Sequence, residues 1–173
     1  ARIFGVDLSK PVSDGDFKTI LRALGEHGVI VFPRQTIETE DLARFGKMFG
    51  DLEINVANLY HEPDHPEVMI LSNMKKDGKP IGLGDAGQGW HTDMSYSKDI
   101  ALANVLYAMK VPMRDGRPLG GTQFRNMHAA YDHLPDDIKK RVEGRTATHD
   151  FIKFWDMMRA KPGSTRGPLT PEQ

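Results

Sequence analysis

An imidazole and a carboxylate two residues apart, His91 and Asp93, sit in the stretch Gly87-Gln88-Gly89-Trp90-His91-Thr92-Asp93-Met94-Ser95-Tyr96. In an extended strand, residues i and i+2 point to the same face, so both side chains can reach one metal ion from one side. Together they supply two of the three ligands of a 2-His-1-carboxylate facial triad. That arrangement holds Fe(II) and leaves coordination positions open for oxygen and a co-substrate. Spacing alone is weak support. Seven histidines and sixteen aspartates in 173 residues make one His-x-Asp pair unsurprising by chance, and a surface His–Asp hydrogen bond in a loop is the plainer alternative.

The segments that must position this pair are legible on both sides of it. Ser13 is placed to cap a helix, with Asp14 and Asp16 near the positive end of its dipole. Phe17, Ile20, Leu21 and Leu24 then recur on one helical face, and Gly25 and Gly28 stop the helix. The β-branched run Val29-Ile30-Val31-Phe32 predicts a buried strand ending at Pro33. Thr39-Glu40-Asp41 opens a second helix with Leu42, Phe45, Met48 and Phe49 inward and Gly50 as its stop. Residues 52–56 alternate like a half-buried strand, and Val68-Met69-Ile70-Leu71 reads as another.

The intervening His61 and His65 read as solvated loop histidines. Five glycines between residues 77 and 89 predict either a loop at the mouth of a site or a hairpin excursion. Beyond the motif, Ile100 to Val111 is almost wholly apolar and predicts a long interior strand, followed by a turn-rich connector to Gly121. Thr122-Gln123-Phe124 could resume a strand. Asn126 is placed to cap a short helix, and Pro135 suits the first turn of the next, which ends at Gly144. Residues 161–173 read as a loop or linker in which Arg166 has nothing to hold it.

Composition narrows the classes. A chain of 173 residues fits a single domain with a real core. A net charge of −1 gives no reason to expect nucleic acid or an anionic membrane as partner. With no cysteine, the chain offers no disulfide, thiolate zinc site, iron–sulfur ligand or thiol nucleophile. No apolar run is long enough to span a bilayer, and the expected location is cytoplasmic. Self-association is compatible with the sequence.

Trp90-His91-Thr92-Asp93-Met94-Ser95-Tyr96 resembles the Trp-His-Ser/Thr-Asp signature of the taurine dioxygenase and phenoxyacetate-herbicide dioxygenase family. The resemblance continues in order through Gly5 to Ser13, Val29 to Gln35, Phe49-Gly50-Asp51-Leu52, Leu119-Gly120-Gly121-Thr122-Gln123-Phe124, and Arg145 to Phe151. It implies an α+β, mainly β fold: a double-stranded β-helix (jelly roll) with flanking helices. It also implies Fe(II) as metal, with 2-oxoglutarate and O2 as co-substrates. The implied reaction hydroxylates a small organic acid — a sulfonate, carboxylate or aryloxyalkanoate — with release of succinate and CO2.

By this resemblance His91 and Asp93 are iron ligands, and Thr122 hydrogen-bonds a carboxylate of 2-oxoglutarate. Asn55 and Asn58 fall where taurine-specific members place substrate-binding side chains of other types, which implies a different substrate. The family's second histidine ligand and its 2-oxoglutarate-binding arginine come from a segment further downstream. His128, His133 and His149 are poor substitutes, and the chain is expected to be the N-terminal part of a longer protein. Two alternatives stay open: a cupin-like metal enzyme that does not use 2-oxoglutarate, and a degenerate jelly-roll binding module without metal.

Overall fold

Side-chain caps set the helix starts. In the computed structural model, which describes residues 1–55, 60–87, 89–164 and 166–171, helix α1 runs Asp14–His27. The Ser13 hydroxyl accepts from the Asp16 N–H at 3.1 Å, and Gly28 ends the helix in the left-handed region at φ 69°. Helix α2 is Thr39–Lys47. Asn126 caps α3 (Met127–Asp132) by accepting from Ala129 N–H at 3.1 Å. Pro135 occupies the N-cap of α4 (Asp136–Val142) rather than its first turn. Helix α5 (Phe151–Arg159) is an addition to the sequence expectation. Its signals were present: Asp150 as cap, then Phe151, Phe154, Trp155 and Met158 at helical spacing.

The chain divides into two compact units, Ala1–Phe45 with Val105–Thr146, and Gly46–Asn104 with Ala147–Gln173. In the first, Leu8, Ile20, Ile37, Ala43 and Phe45 are buried. Phe32 meets Phe45 edge to face with ring centroids 5.4 Å apart. Gln35 stitches the opening segment to the stretch after α1. Its Oε1 accepts from Leu8 N–H at 2.9 Å, and its Nε2 donates to Val6 O at 3.0 Å. Satisfying those backbone groups matters because both lie partly out of water.

In the second unit a bulged antiparallel ladder joins β1 (His61–Glu62) to β2 (His65–Met69). The chain then pairs with itself again. Ser72 N–H donates to Leu83 O, Leu83 N–H to Ile70 O and Ile81 N–H to Met74 O, all at 3.0–3.2 Å, and the hairpin closes at β3 (Lys75–Lys76) and β4 (Lys79–Pro80). The glycine-rich stretch therefore begins as a hairpin excursion. Gly82 is required there: a Cβ would lie 2.7 Å from Ser72 N and 2.8 Å from Ile70 O. The turn is Asp77-Gly78, both at positive φ. The same device, Asp115-Gly116, closes β5 (Met113–Arg114) on β6 (Arg117–Pro118) in the first unit.

Several strand expectations do not hold. Residues 29–32 keep only an isolated parallel bridge, Arg2 to Val31, and Val31 is half exposed. Leu52 and Ile54 are exposed and join no ladder among the described residues. Residues 100–111 form no interior strand, and Leu102, Leu106 and Met109 are exposed. A strand needs a hydrogen-bonded neighbour, and none of the described residues supplies one to this run. It nevertheless keeps a period of two from 102 to 107, with Ala103, Val105 and Tyr107 half-buried between exposed Leu102, Asn104 and Leu106. Content is mixed helix and strand, with ladders far shorter than the mainly-β expectation. No helix among the described residues is long and apolar enough to cross a membrane.

Candidate metal centre

The motif leaves the hairpin through Gly84-Asp85-Ala86-Gly87 and reaches Gly89, whose φ of +82° suits glycine. This conformation aims the Gly89 carbonyl at the ring of His91, with Nδ1 2.9 Å from the oxygen. A carbonyl only accepts, so Nδ1 carries the proton and the neutral ring keeps its lone pair on Nε2. Nε2 in turn faces Asp93 Oδ1 at 3.4 Å. That is longer than the 2.7–2.9 Å typical of a charge-assisted hydrogen bond. The other carboxylate oxygen, Oδ2, accepts from the Asn104 amide at 2.9 Å.

His91 and Asp93 do meet, but not on a regular strand. His91 belongs to no regular element, and Asp93 opens a turn, Asp93–Tyr96, in which Met94 takes a positive φ of 59°. The turn is followed by a bond from Ser97 N–H to Met94 O at 2.9 Å. Both side chains are about half exposed, 51% and 56%. The motif is anchored downstream to α5 and to the residue two before it, His149. Ser95 Oγ and His149 Nδ1 share a hydrogen bond of 2.9 Å, and Tyr96 packs on Phe151 with centroids 4.5 Å apart. Burial raises the Tyr96 phenol pKa above its ordinary value, with Glu53 and Asp93 adding to the effect.

A divalent transition metal fits this donor set. A fixed tautomer presents one imidazole lone pair, a carboxylate oxygen lies beside it, and both ligands are oriented by hydrogen bonds to their other polar atoms. Among the described residues no group of three His, Cys, Asp or Glu is arranged to hold a metal. The remaining histidines are engaged elsewhere or lie apart from the pair. His149 Nδ1 bonds Ser95, and His133 Nδ1 donates to Ala129 O at 2.6 Å. His128 lies exposed on α3.

Thr122, expected at 2-oxoglutarate, is exposed outside any helix or strand in the first unit, whereas His91 and Asp93 belong to the second. Asn55 is half-buried, and Asn58 lies outside the described residues. His61 corrects the expectation of a solvated loop residue. Both its ring nitrogens are buried and meet no hydrogen-bond partner among the described residues. His65 Nδ1 lies 3.3 Å from Glu67 Oε1.

Arg166 also corrects the sequence reading. Its guanidinium makes two bonds to Asp85, 2.7 Å to Oδ2 and 2.6 Å to Oδ1, and lies 5.6 Å over the Trp155 ring. Trp155 donates its indole N–H to Gly167 O at 2.9 Å. The side chain of Arg166 is 5% exposed, so residues 166–167 are held rather than free linker. The Arg166 bonds hold the Asp85 carboxyl below the usual carboxylate range. Asn104 and the Gly89 carbonyl were missed in the sequence. Asn104 had a signal, an amide interrupting an apolar run, whereas a backbone carbonyl carries none.

Residues 1–169 match the family described as taurine catabolism dioxygenase TauD, TfdA family. The chain belongs to that family. It is 33% identical over 152 residues to pentalenolactone F synthase of Streptomyces avermitilis, covering 86% of this chain and 49% of that protein. Against the alpha-ketoglutarate-dependent 2,4-dichlorophenoxyacetate dioxygenase of Cupriavidus pinatubonensis it is 32% identical over 161 residues, covering 86% of this chain and 54% of that one. A crystal structure of a Burkholderia xenovorans protein, provisionally assigned as an alpha-ketoglutarate dependent 2,4-D dioxygenase, superposes with a TM-score of 0.60 at 31% identity. The match covers 99% of this chain and 54% of that one. The chain thus spans about half the length of the relatives it matches.

Proposed function

We propose that the whole protein is a non-haem Fe(II)- and 2-oxoglutarate-dependent dioxygenase that hydroxylates a small organic acid. The observation that carries this is the facing pair: His91 Nε2, with its lone pair fixed by the Gly89 carbonyl, opposite the Asp93 carboxylate. Family membership supports the same reading. His91 and Asp93 hold the metal. Fe(II) bound there supplies the chemistry that couples oxidative decarboxylation of 2-oxoglutarate, with O2, to hydroxylation of the substrate, giving succinate and CO2.

The remaining roles belong to this chain's own side chains. Thr122 donates its hydroxyl to one carboxylate of 2-oxoglutarate. Asn55 and Asn58 contact the substrate. The Asp93–Tyr96 turn, pinned to His149 through Ser95 and to α5 through Tyr96, keeps the carboxylate beside the imidazole. The whole protein folds as a double-stranded β-helix and acts in the cytoplasm without nucleic acid or membrane as partner.

Relatives are named for aryloxyalkanoates (2,4-dichlorophenoxyacetate and (S)-phenoxypropionate), for a sulfonate and for a sulfate ester. The substrate class proposed here is accordingly a small sulfonate, carboxylate or aryloxyalkanoate. Full-length protein incubated with Fe(II), 2-oxoglutarate and oxygen should release succinate faster when one of these acids is added. Metal binding with no succinate from any of the three classes would overturn the proposal.

A further inference from the structure

We infer that Asn104 is a positioning residue for the metal-binding carboxylate; the inference rests on the metal-site reading above. A carboxylate on a turn can rotate about its χ2 torsion and present either oxygen, or neither, to a ligand. Asp93 is half exposed, and among the described residues no lysine or arginine forms an ion pair with it. What restrains it is the amide of Asn104, which donates to Oδ2 at 2.9 Å and turns Oδ1 toward His91 Nε2.

The position of Asn104 makes this economical. It lies on the exposed face of an extended run, between Leu102 and Leu106, where an apolar residue would continue the pattern. An amide side chain can donate to a carboxylate without adding a charge that would compete for the metal or repel it. The Gly89 carbonyl does the matching task for His91. The two ligands are thus each oriented from the side away from the shared position, one by backbone and one by side chain.

The test uses the full-length protein with Co(II) as a spectroscopic stand-in for Fe(II), under anaerobic conditions. Affinity is measured by titration and the ligand field by the visible d–d bands. Asn104→Leu keeps the approximate volume and removes the donor. It should weaken Co(II) binding by about 10- to 100-fold, the range for lost outer hydrogen bonds to metal ligands, and alter the d–d bands. Asn104→Gln keeps an amide donor and should recover part of the affinity.

Thermal melting of both variants should match the parent, since the residue is exposed. If Asn104→Leu melts early, Asn104→Ser provides the donor-shortened comparison at lower structural cost. Unchanged affinity and unchanged bands in Asn104→Leu would overturn the positioning role while leaving the metal site standing. Failure of the parent protein to bind Co(II) would overturn the metal site itself and the inference with it.

Discussion

Two aspartates eight residues apart, Asp85 and Asp93, end up in opposite circumstances. Asp85 accepts two short bonds from a guanidinium that is almost fully buried and stacked on an indole. Asp93 is half exposed and faces an imidazole lone pair at a distance too long for a strong hydrogen bond. The first pair has its charges matched and both carboxylate oxygens engaged. The second leaves a lone pair on each partner directed at shared space. The difference separates a pair that holds structure from a pair that can take a ligand. It cannot be read from residue type, because both carboxylates belong to aspartates and both face a nitrogen base.

The comparison is most easily broken at Asp93. Asp93→Ala should cost more in metal affinity than the roughly 100-fold upper range for outer-sphere losses, yet change folding stability by no more than about 0.5 kcal/mol, as for an exposed site. Titration with Fe(II) or Co(II) beside a denaturant melt checks both halves. A variant that binds metal normally, or one that unfolds, would erase the contrast with Asp85.

Asp85→Ala should behave the other way. It leaves the Arg166 guanidinium buried without its counter-charge, at a cost of about 3 kcal/mol, while metal affinity of the folded protein changes less than tenfold. Arg166→Leu should cost less than Asp85→Ala, because the abandoned Asp85 carboxylate is 31% exposed and can be hydrated. Urea melts of the two variants measure that asymmetry. Equal losses would mean that burial of the guanidinium is not the controlling factor.

The Asp85–Arg166 pair also carries a pH signature. The folded-state pKa of Asp85 lies below its unfolded value, chiefly through the hydrogen bonds from Arg166. Its contribution to stability is therefore complete above the unfolded pKa, about 3.9, and is lost as pH falls through the folded value. The stability gap between the parent and Asp85→Asn should be constant near neutrality and close below about pH 4. Melts across that range test it, and a gap that widens in acid would reverse the sign.

The smallest effect is expected at Gly89. Gly89→Ala puts a Cβ on a left-handed residue at a cost of about 1–2 kcal/mol and shifts the carbonyl that fixes the His91 tautomer. Metal affinity should fall by less than in Asp93→Ala. Normal affinity in this variant would mean that the carbonyl does not orient the ring.

Much of this was legible in the chain. Ser13, Gly28 and Asn126 act locally, through bonds to backbone atoms three or four residues away, so the helices they cap could be read from sequence. The proximity of His91 and Asp93 was legible for the same reason of short separation. What escaped depends on distant partners. Arg166 is 81 residues from Asp85, and its neighbours in sequence say nothing of the carboxylate that meets it. Asn104 is 11 residues from Asp93. The expected strands at 29–32 and 100–111 misled because apolar composition reports a preference for burial, whereas a ladder needs a partner that no local pattern names. Helix α5 is the exception, since its cap and its apolar spacing were both local.

The proposed iron site joins His91 Nε2 to the Asp93 carboxylate. Anomalous diffraction at the iron edge, from crystals of the full-length protein loaded anaerobically with Fe(II), tests it directly. The expected result is a peak bonded to His91 through Nε2 and to an Asp93 oxygen, with the Gly89 carbonyl still on Nδ1. A peak bonded through Nδ1, or iron bound away from Asp93, would contradict it.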